Sequence, residues 1–254
     1  MGVQRPIAFV HGDFGNGESS FGKVAAEIGD AYQVHLLDRP GYAPDAAHPD
    51  RYTFAGDAAA LLRDLDAAGA QQFHLVGHSY GGLVAITMAL QAPARILSLH
   101  LIEPPLLRLL DDDDARWLTQ RVRELQVAHD DGDLDATTRA FFEMIDAGHV
   151  PERLHGTPEW DLLTSYASRF ARNEPPGAFP GTHWETLSES FPILVYSGGR
   201  SHPALQAVAT FLASTPRVKR HTHVPGAGHA VQMAGADFTG PFLEEIAAAE
   251  AALG

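Results

Sequence analysis

"HLVGHSYGGLV", residues 74–84, decides the reading of this chain. A short apolar run meets Gly77-His78-Ser79-Tyr80-Gly81 and turns at once into a second apolar run. A lone serine thus stands between two glycines where two hydrophobic segments join. Either Gly77 and Gly81 merely loosen a turn, or they clear space around a reactive hydroxyl. A strand-to-helix turn that exposes a serine strains the backbone, and side chains at the flanking positions would collide with it. On the second reading the rest of the chain must supply a base, an acid and a site that stabilises an anion.

Outward from this stretch the pattern alternates. "PIAFV" (6–10), "VHLLD" (34–38), "FHLV" (73–76), "ILSLHLI" (96–102), "PILVYSGG" (192–199) and "VKRHTHVPG" (218–226) read as strands. Helical patterns follow at 19–29, 53–70, from 81 to Pro93, 203–213 and from about 238. Short, nearly all-apolar strands separated by helices predict an α/β fold, a mostly parallel sheet with helices on both faces. Between 104 and 190 no strand is read. Helices are expected at 111–130, 133–147, 158–172 and 182–190, the first opened by Asp111 to Asp114, whose charges suit a helix N-terminus. The expected organisation is a sheet domain formed by 1–103 and 191–254, interrupted by a helical cap at 104–190.

Composition excludes several classes of function. The 254 residues carry a formal net charge of -14 and no Lys/Arg cluster, which argues against nucleic acid and anionic membrane surfaces as partners. With no cysteine there is no disulfide, thiolate metal site or Cys nucleophile. No H-x-x-x-H or H-E-x-x-H helix offers a zinc site, so the metal expectation is none. The N-terminus lacks a signal-peptide h-region and no apolar run reaches membrane-spanning length, so the expected location is cytoplasmic.

"HGDFG" (11–15) after the first strand, "DRPGY" (38–42) after the second, "GHSYGG" (77–82) and "GAGHA" (226–230) together resemble the α/β-hydrolase superfamily, over nearly the whole chain. The N-terminal strand pair common in that family does not precede the "HG" strand. The resemblance implies the α/β-hydrolase fold with Ser79 as nucleophile. It implies His229 as base, being the histidine after the last strand, and Tyr80 as one oxyanion-hole N–H. The second N–H is expected from Asp13, with Phe14 the runner-up, the Asp13 carboxylate turning to solvent. His78 and His11 read as packing or hydrogen-bonding residues, and Asp38 as part of a structural turn.

The acid is the informative position. Most members of the family place an Asp after the strand that here reads "PILVYSGG", yet no Asp or Glu occurs from Tyr196 to Arg220. The other position that geometry permits is the end of the strand after the nucleophile helix, and there stands Glu103. A Glu ending an apolar strand is costly unless paired. Its bland reading is a rim carboxylate at the cap hinge; its functional reading is orientation of His229. This placement is similar to zearalenone-lactonase-type hydrolases. Haloalkane dehalogenases share it too, but with an Asp nucleophile that Ser79 replaces.

The resulting expectation is a cofactor-free serine hydrolase cleaving a carboxylic ester or lactone of a bulky apolar small molecule through an acyl-enzyme. Phe14 and, among the cap aromatics, Trp184 are the candidate substrate contacts. The partner is a small-molecule ester or lactone, with a homodimer left open. A small-molecule receptor on the same fold, and carbon–carbon or thioester hydrolysis on the same triad, remain as alternatives.

Overall fold

A computed structural model of the chain describes residues 5–43, 50–128, 132–145 and 147–253. Six strands, β1 (Ile7–Val10), β2 (Val34–Leu37), β3 (Phe73–His78), β4 (Ile96–Ile102), β5 (Ile193–Gly198) and β6 (Val218–Val224), form one sheet in the order β2-β1-β3-β4-β5-β6. Every pairing is parallel. Helices α1 (Gly17–Ile28), α2 (Phe54–Ala67), α3 (Tyr80–Gln91), α10 (Pro203–Ala213) and α11 (Ala236–Leu253) connect or flank the strands. Between β4 and β5 the chain is helical: α4 (Asp113–Ala128), α5 (Leu134–Met144), α6 (His149–Leu154), α7 (Pro158–Ser165), α8 (Ala167–Phe170) and α9 (Gly181–Glu185).

The apolar runs read as strands because both sheet faces are covered. Along β1 the side chains alternate between two clusters: Ala8 and Val10 on one side, Ile7 and Phe9 on the other. The first cluster includes α2, α3, α10 and much of the helical segment between β4 and β5; the second is closed by Phe21 of α1 and Phe238, Phe242 and Ile246 of α11. Strand β6 lies at the edge and carries exposed Lys219 and Arg220, charges that blunt an open edge. Among the described residues no helix is long and apolar enough to cross a membrane.

Local capping agrees with the sequence. Thr53 caps α2 by accepting the Gly56 N–H, and Asp112 accepts the Ala115 N–H at the start of α4. Asp38 accepts the Gly17 N–H at the start of α1, the structural turn expected of "DRPGY". Departures lie between β4 and β5, where α9 ends at Glu185 although a helix is expected as far as 190. The helix expected at 158–172 breaks at Tyr166, whose ring stacks on Tyr42. An extra helix, α6, forms between the helices expected at 133–147 and 158–172, with Pro151 in its first turn.

Candidate active site

The parallel sheet delivers the carboxyl ends of β1, β3 and β4 to one edge, where an open α/β sheet gathers ligands. Ser79 is the single residue between β3 and α3, with φ 53° and ψ -125°. Its N–H is held by the Ile102 carbonyl of β4 at 2.9 Å. The flanking glycines are required by close approach. A Cβ on Gly77 would stand 2.5 Å from the Gly81 carbonyl oxygen, and one on Gly81 would stand 2.3 Å from that of Val10. Both lie far inside van der Waals contact, so the helix can start immediately after Ser79 only with glycine at both places.

Glu103 follows β4, also at positive φ (43°), and is fully buried. Its carboxylate is saturated with donors. Oε1 accepts the Gly198 N–H at 2.8 Å; Oε2 accepts the Ser201 hydroxyl at 2.5 Å and the Nδ1 of His229 at 2.7 Å. The Nδ1 contact fixes the His229 tautomer with its proton on Nδ1, leaving Nε2 as the acceptor nitrogen. His78 steadies the same loop, its Nε2 donating to the His229 carbonyl at 3.1 Å while the two rings lie 4.8 Å apart. Burial, and then the neighbouring His229, holds the His78 pKa well below the usual histidine range, so His78 is a neutral donor.

Ser79, Tyr80, Asp13 and His229 line one cavity of about 40 Å³. Leu118 and Val122 of α4, Phe141 and Met144 of α5, and Phe170 of α8 close it, with Leu205 of α10 beside them. As an N1 residue, Tyr80 has an N–H without an intrahelical acceptor. Among the described residues the Asp13 N–H also has no backbone acceptor. Neither Phe14 nor Trp184 is on this wall. Phe14 sits behind it, stacked on Phe141 (4.3 Å) and close to Phe170 (5.4 Å). Trp184 is buried in α9, which packs on α3. In this structure both rings lie in the core that supports the wall.

The Asp13 side chain is a correction. It turns away from solvent, into a buried cluster around Arg39. The guanidinium contacts Asp57 Oδ2 through Nε (2.8 Å), the Gly12 carbonyl and Asp13 Oδ1 through Nη1 (3.2 and 3.1 Å), and Asn173 Oδ1 through Nη2 (3.0 Å). The same cation lies 4.0 Å from the Tyr80 ring centroid. A fully buried cation demands carboxylates, and Asp13 and Asp57 are the two within reach. Burial pushes the Asp13 pKa up, and Arg39 opposes it. For Arg39, burial alone would lower the pKa, but Tyr42, Asp57 and Asp13 carry it well above its ordinary value. His11 completes the loop: Nδ1 donates to the Gly12 carbonyl (2.8 Å) and Nε2 accepts the Arg39 N–H (3.0 Å).

The sequence reading brought Ser79, Glu103, His229, Tyr80 and Asp13 forward; Ser79, His229, Tyr80 and Asp13 line one cavity, and Glu103 joins them through His229. It passed over Arg39, Asn173 and Ser201. The signal for Ser201 was present: it lies just after β5, where the family's usual acid was missing, and its hydroxyl supports the Glu103 carboxylate instead.

The family model for the alpha/beta hydrolase fold matches residues 5–236. The chain belongs to the α/β-hydrolase family. Among curated relatives of this chain, the dihydrolipoyllysine-residue acetyltransferase component of the acetoin cleaving system of Cupriavidus necator is 36% identical over 103 residues. That match covers 41% of this chain and 27% of the relative, so the chain spans only a fraction of that protein's length. An α/β hydrolase from Sphaerobacter thermophilus superposes with a TM-score of 0.71 at 20% identity, covering 95% of this chain and 92% of that one. The N-acyl homoserine lactonase AidH superposes with a TM-score of 0.67 at 22% identity, covering 96% and 89%. At these identities the two structures share the fold with this chain.

Proposed function

We propose that this protein is a serine hydrolase that opens a carboxylic ester or lactone through an acyl-enzyme, without a cofactor. The observation that carries the reading is the 2.7 Å contact between His229 Nδ1 and the buried Glu103 carboxylate, with His229 and Ser79 on one cavity wall. In this reading the residues between β4 and β5 are the cap over the site. Ser79 Oγ attacks the carbonyl carbon while His229 Nε2 takes its proton, and Glu103 stabilises the imidazolium. The N–H groups of Tyr80 and Asp13 hold the oxyanion. His229 then gives the proton to the leaving alcohol. A water, deprotonated by His229, attacks the acyl-enzyme and releases the acid and free Ser79. For a lactone, alcohol and acid stay on one molecule and the ring opens.

The apolar wall supports an apolar acyl group. A cavity of about 40 Å³ is far below the roughly 300–1,000 Å³ of sites for drug-sized ligands. A bulky substrate therefore enters only after the helices over the cavity separate from the sheet edge. Glu103 at the end of β4 keeps the likeness to zearalenone-lactonase-type hydrolases, and one fold neighbour is a lactonase, but the fold alone selects no substrate. The test is turnover of an ester and lactone panel by the parent and by Ser79→Ala, with products read by mass. The expected result is multiple turnovers that vanish in the variant, with a mass shift of the parent at Ser79 under acyl-enzyme trapping. Full activity in Ser79→Ala would refute the mechanism. Ligand binding without turnover by the parent would make the protein a receptor.

A further inference from the structure

The Asp13 carboxylate is satisfied on one oxygen only. Oδ1 receives all three donors: Asn173 Nδ2 at 2.6 Å, Arg39 Nη1 at 3.1 Å and the Tyr42 hydroxyl at 3.3 Å. Among the described residues Oδ2 receives none, and the side chain keeps 7% exposure in a residue that lines the cavity. Charge points the same way. Arg39 is one cation between two buried carboxylates, Asp13 and Asp57. His11, facing the same turn, is kept neutral by burial and by Arg39. The cluster thus sets two carboxyl groups against one cation, beside a largely apolar wall that includes Leu118, Val122, Phe141 and Met144. A carboxyl oxygen without a partner against apolar surface is costly until a donor reaches it.

We infer that Asp13 Oδ2 is a recognition acceptor for a hydroxyl or amino group carried by the acyl part of the substrate, close to the scissile carbonyl. The inference rests on the hydrolase reading above and names its substrate class. Its range follows from covalent geometry. The Asp13 N–H and Oδ2 belong to one residue and lie within about 5 Å of each other. A carbonyl oxygen on that N–H therefore brings the α and β carbons of the acyl chain within hydrogen-bond reach of Oδ2, and a group farther along reaches it only at the added entropic cost of folding the chain back. The substrates selected are α- or β-hydroxy or amino esters and lactones with an apolar remainder. A carboxylate at the same carbon is repelled.

The experiment compares kcat/KM for phenyl hexanoate and its 2-hydroxy, 3-hydroxy and 6-hydroxy derivatives. The parent is expected to prefer the 2- or 3-hydroxy ester over hexanoate by at least about tenfold, as a hydrogen bond to a charged acceptor allows. The 6-hydroxy ester should gain nothing. Asp13→Asn keeps an acceptor for the Oδ1 donors but puts an NH₂ or a shared amide at the cavity, and the preference should fall to near one. A smaller preference in the parent, an equal gain at the 6-position, or a preference that survives Asp13→Asn overturns the inference. The positional series needs no variant, so a misfolded Asp13→Asn protein does not protect the idea. A second readout is independent of turnover. Ser79→Ala protein should bind 4-hydroxyheptan-2-one at least about tenfold more tightly than heptan-2-one by calorimetry. Ester turnover without hydroxyl preference leaves the hydrolase reading standing and removes this one. Hydroxyketone preference without turnover does the reverse.

Discussion

Acid should unfold this protein through His11, and the size of the effect can be worked out. Burial first, then the Arg39 cation, takes its pKa from 6.5 down to about 3, against a smaller opposing effect of the Gly12 carbonyl. The hydrogen bonds give the reason: Nδ1 already donates, and Nε2 is the acceptor of the Arg39 N–H, so a second proton has no place to go. The folded state therefore binds fewer protons than the unfolded one below pH 6.5. The stabilisation is complete above that value and is lost as pH falls toward 3. At pH 5 the unfolded imidazole is protonated over 1.5 units, worth about 2 kcal/mol at about 1.4 kcal/mol per unit. His78, His100 and His74, also held below their ordinary values by burial, add their own losses. The assay is urea unfolding followed by tryptophan fluorescence at pH 7 and pH 5, for the parent and for His11→Gln, whose amide oxygen can accept from Arg39 without titrating. Whatever His11→Gln does to stability at pH 7, its loss between the two pH values should be smaller than the parent's by about 2 kcal/mol. The other histidines cancel in that difference. Equal losses in both proteins would show that His11 takes up its proton in the folded state and that the turn tolerates it.

Other substitutions probe the remaining parts. Arg39→Met strands Asp13 and Asp57 as buried carboxylates, and a loss of about 3–5 kcal/mol is expected in the same unfolding assay. Arg39→Lys should recover little of it, since one ammonium cannot span contacts made through Nε, Nη1 and Nη2. Glu103→Gln keeps the volume but lets His229 take the wrong tautomer, so kcat should fall by about 10²–10⁴ with the fold intact by circular dichroism; a near-normal kcat would remove Glu103 from the mechanism. Gly81→Ala places a methyl inside the contact distance of the Val10 and His11 carbonyls, and should either fail to yield soluble protein or melt well below the parent.

The sheet was legible because its physics is local. The inner strands are short apolar runs, and covering both faces leaves no alternation to misread, while β6 is an edge strand that carries Lys219 and Arg220. The segment between β4 and β5 was less legible. Pro151 reads as a breaker, yet it occupies the first turn of α6, where its missing N–H is not needed. The break comes at Tyr166, whose ring stacks on Tyr42 from far away in the chain. In the site, Glu103 could be found because an apolar strand ends in a carboxylate while the usual acid position is empty. Arg39 could not. "DRPGY" reads as a turn, and the partners that make Arg39 a hub lie 18 residues away at Asp57 and 134 away at Asn173. The direction of the Asp13 carboxylate failed for the same reason, since only the folded chain brings Asn173 and Tyr42 to it.

The backbone itself points at the same place as the side chains. Among the described residues, the non-glycine residues at positive φ are Phe14 (54°), Ser79 (53°) and Glu103 (43°). Each follows the carboxyl end of a strand: β1, β3 and β4. A side chain in such a conformation costs of order 1–3 kcal/mol and persists only where its surroundings over-determine it. Here they do, by different means. Ser79 is pinned by the Ile102 carbonyl and by two glycines that let α3 start at once. Glu103 is pinned at both ends, its N–H on the Tyr196 carbonyl and its carboxylate under three donors. Phe14 is wedged among Phe141, Phe142 and Phe170, from the helices over the cavity. The consequence is geometric. A strand that continued its pleat would send the next side chain along the sheet face, into one of the two cores. Reversing the hand of φ takes the residue off the pleat and across the strand end. That is how a serine stands clear at the tip of one strand while a buried glutamate reaches the histidine loop from the next. Glycine would adopt either turn without strain, but it carries neither a hydroxyl nor a carboxylate. The strain at these two positions is therefore what the placement of the functional groups requires, and the phenylalanine extends it to the contact between the "HGDFG" loop and the helices above.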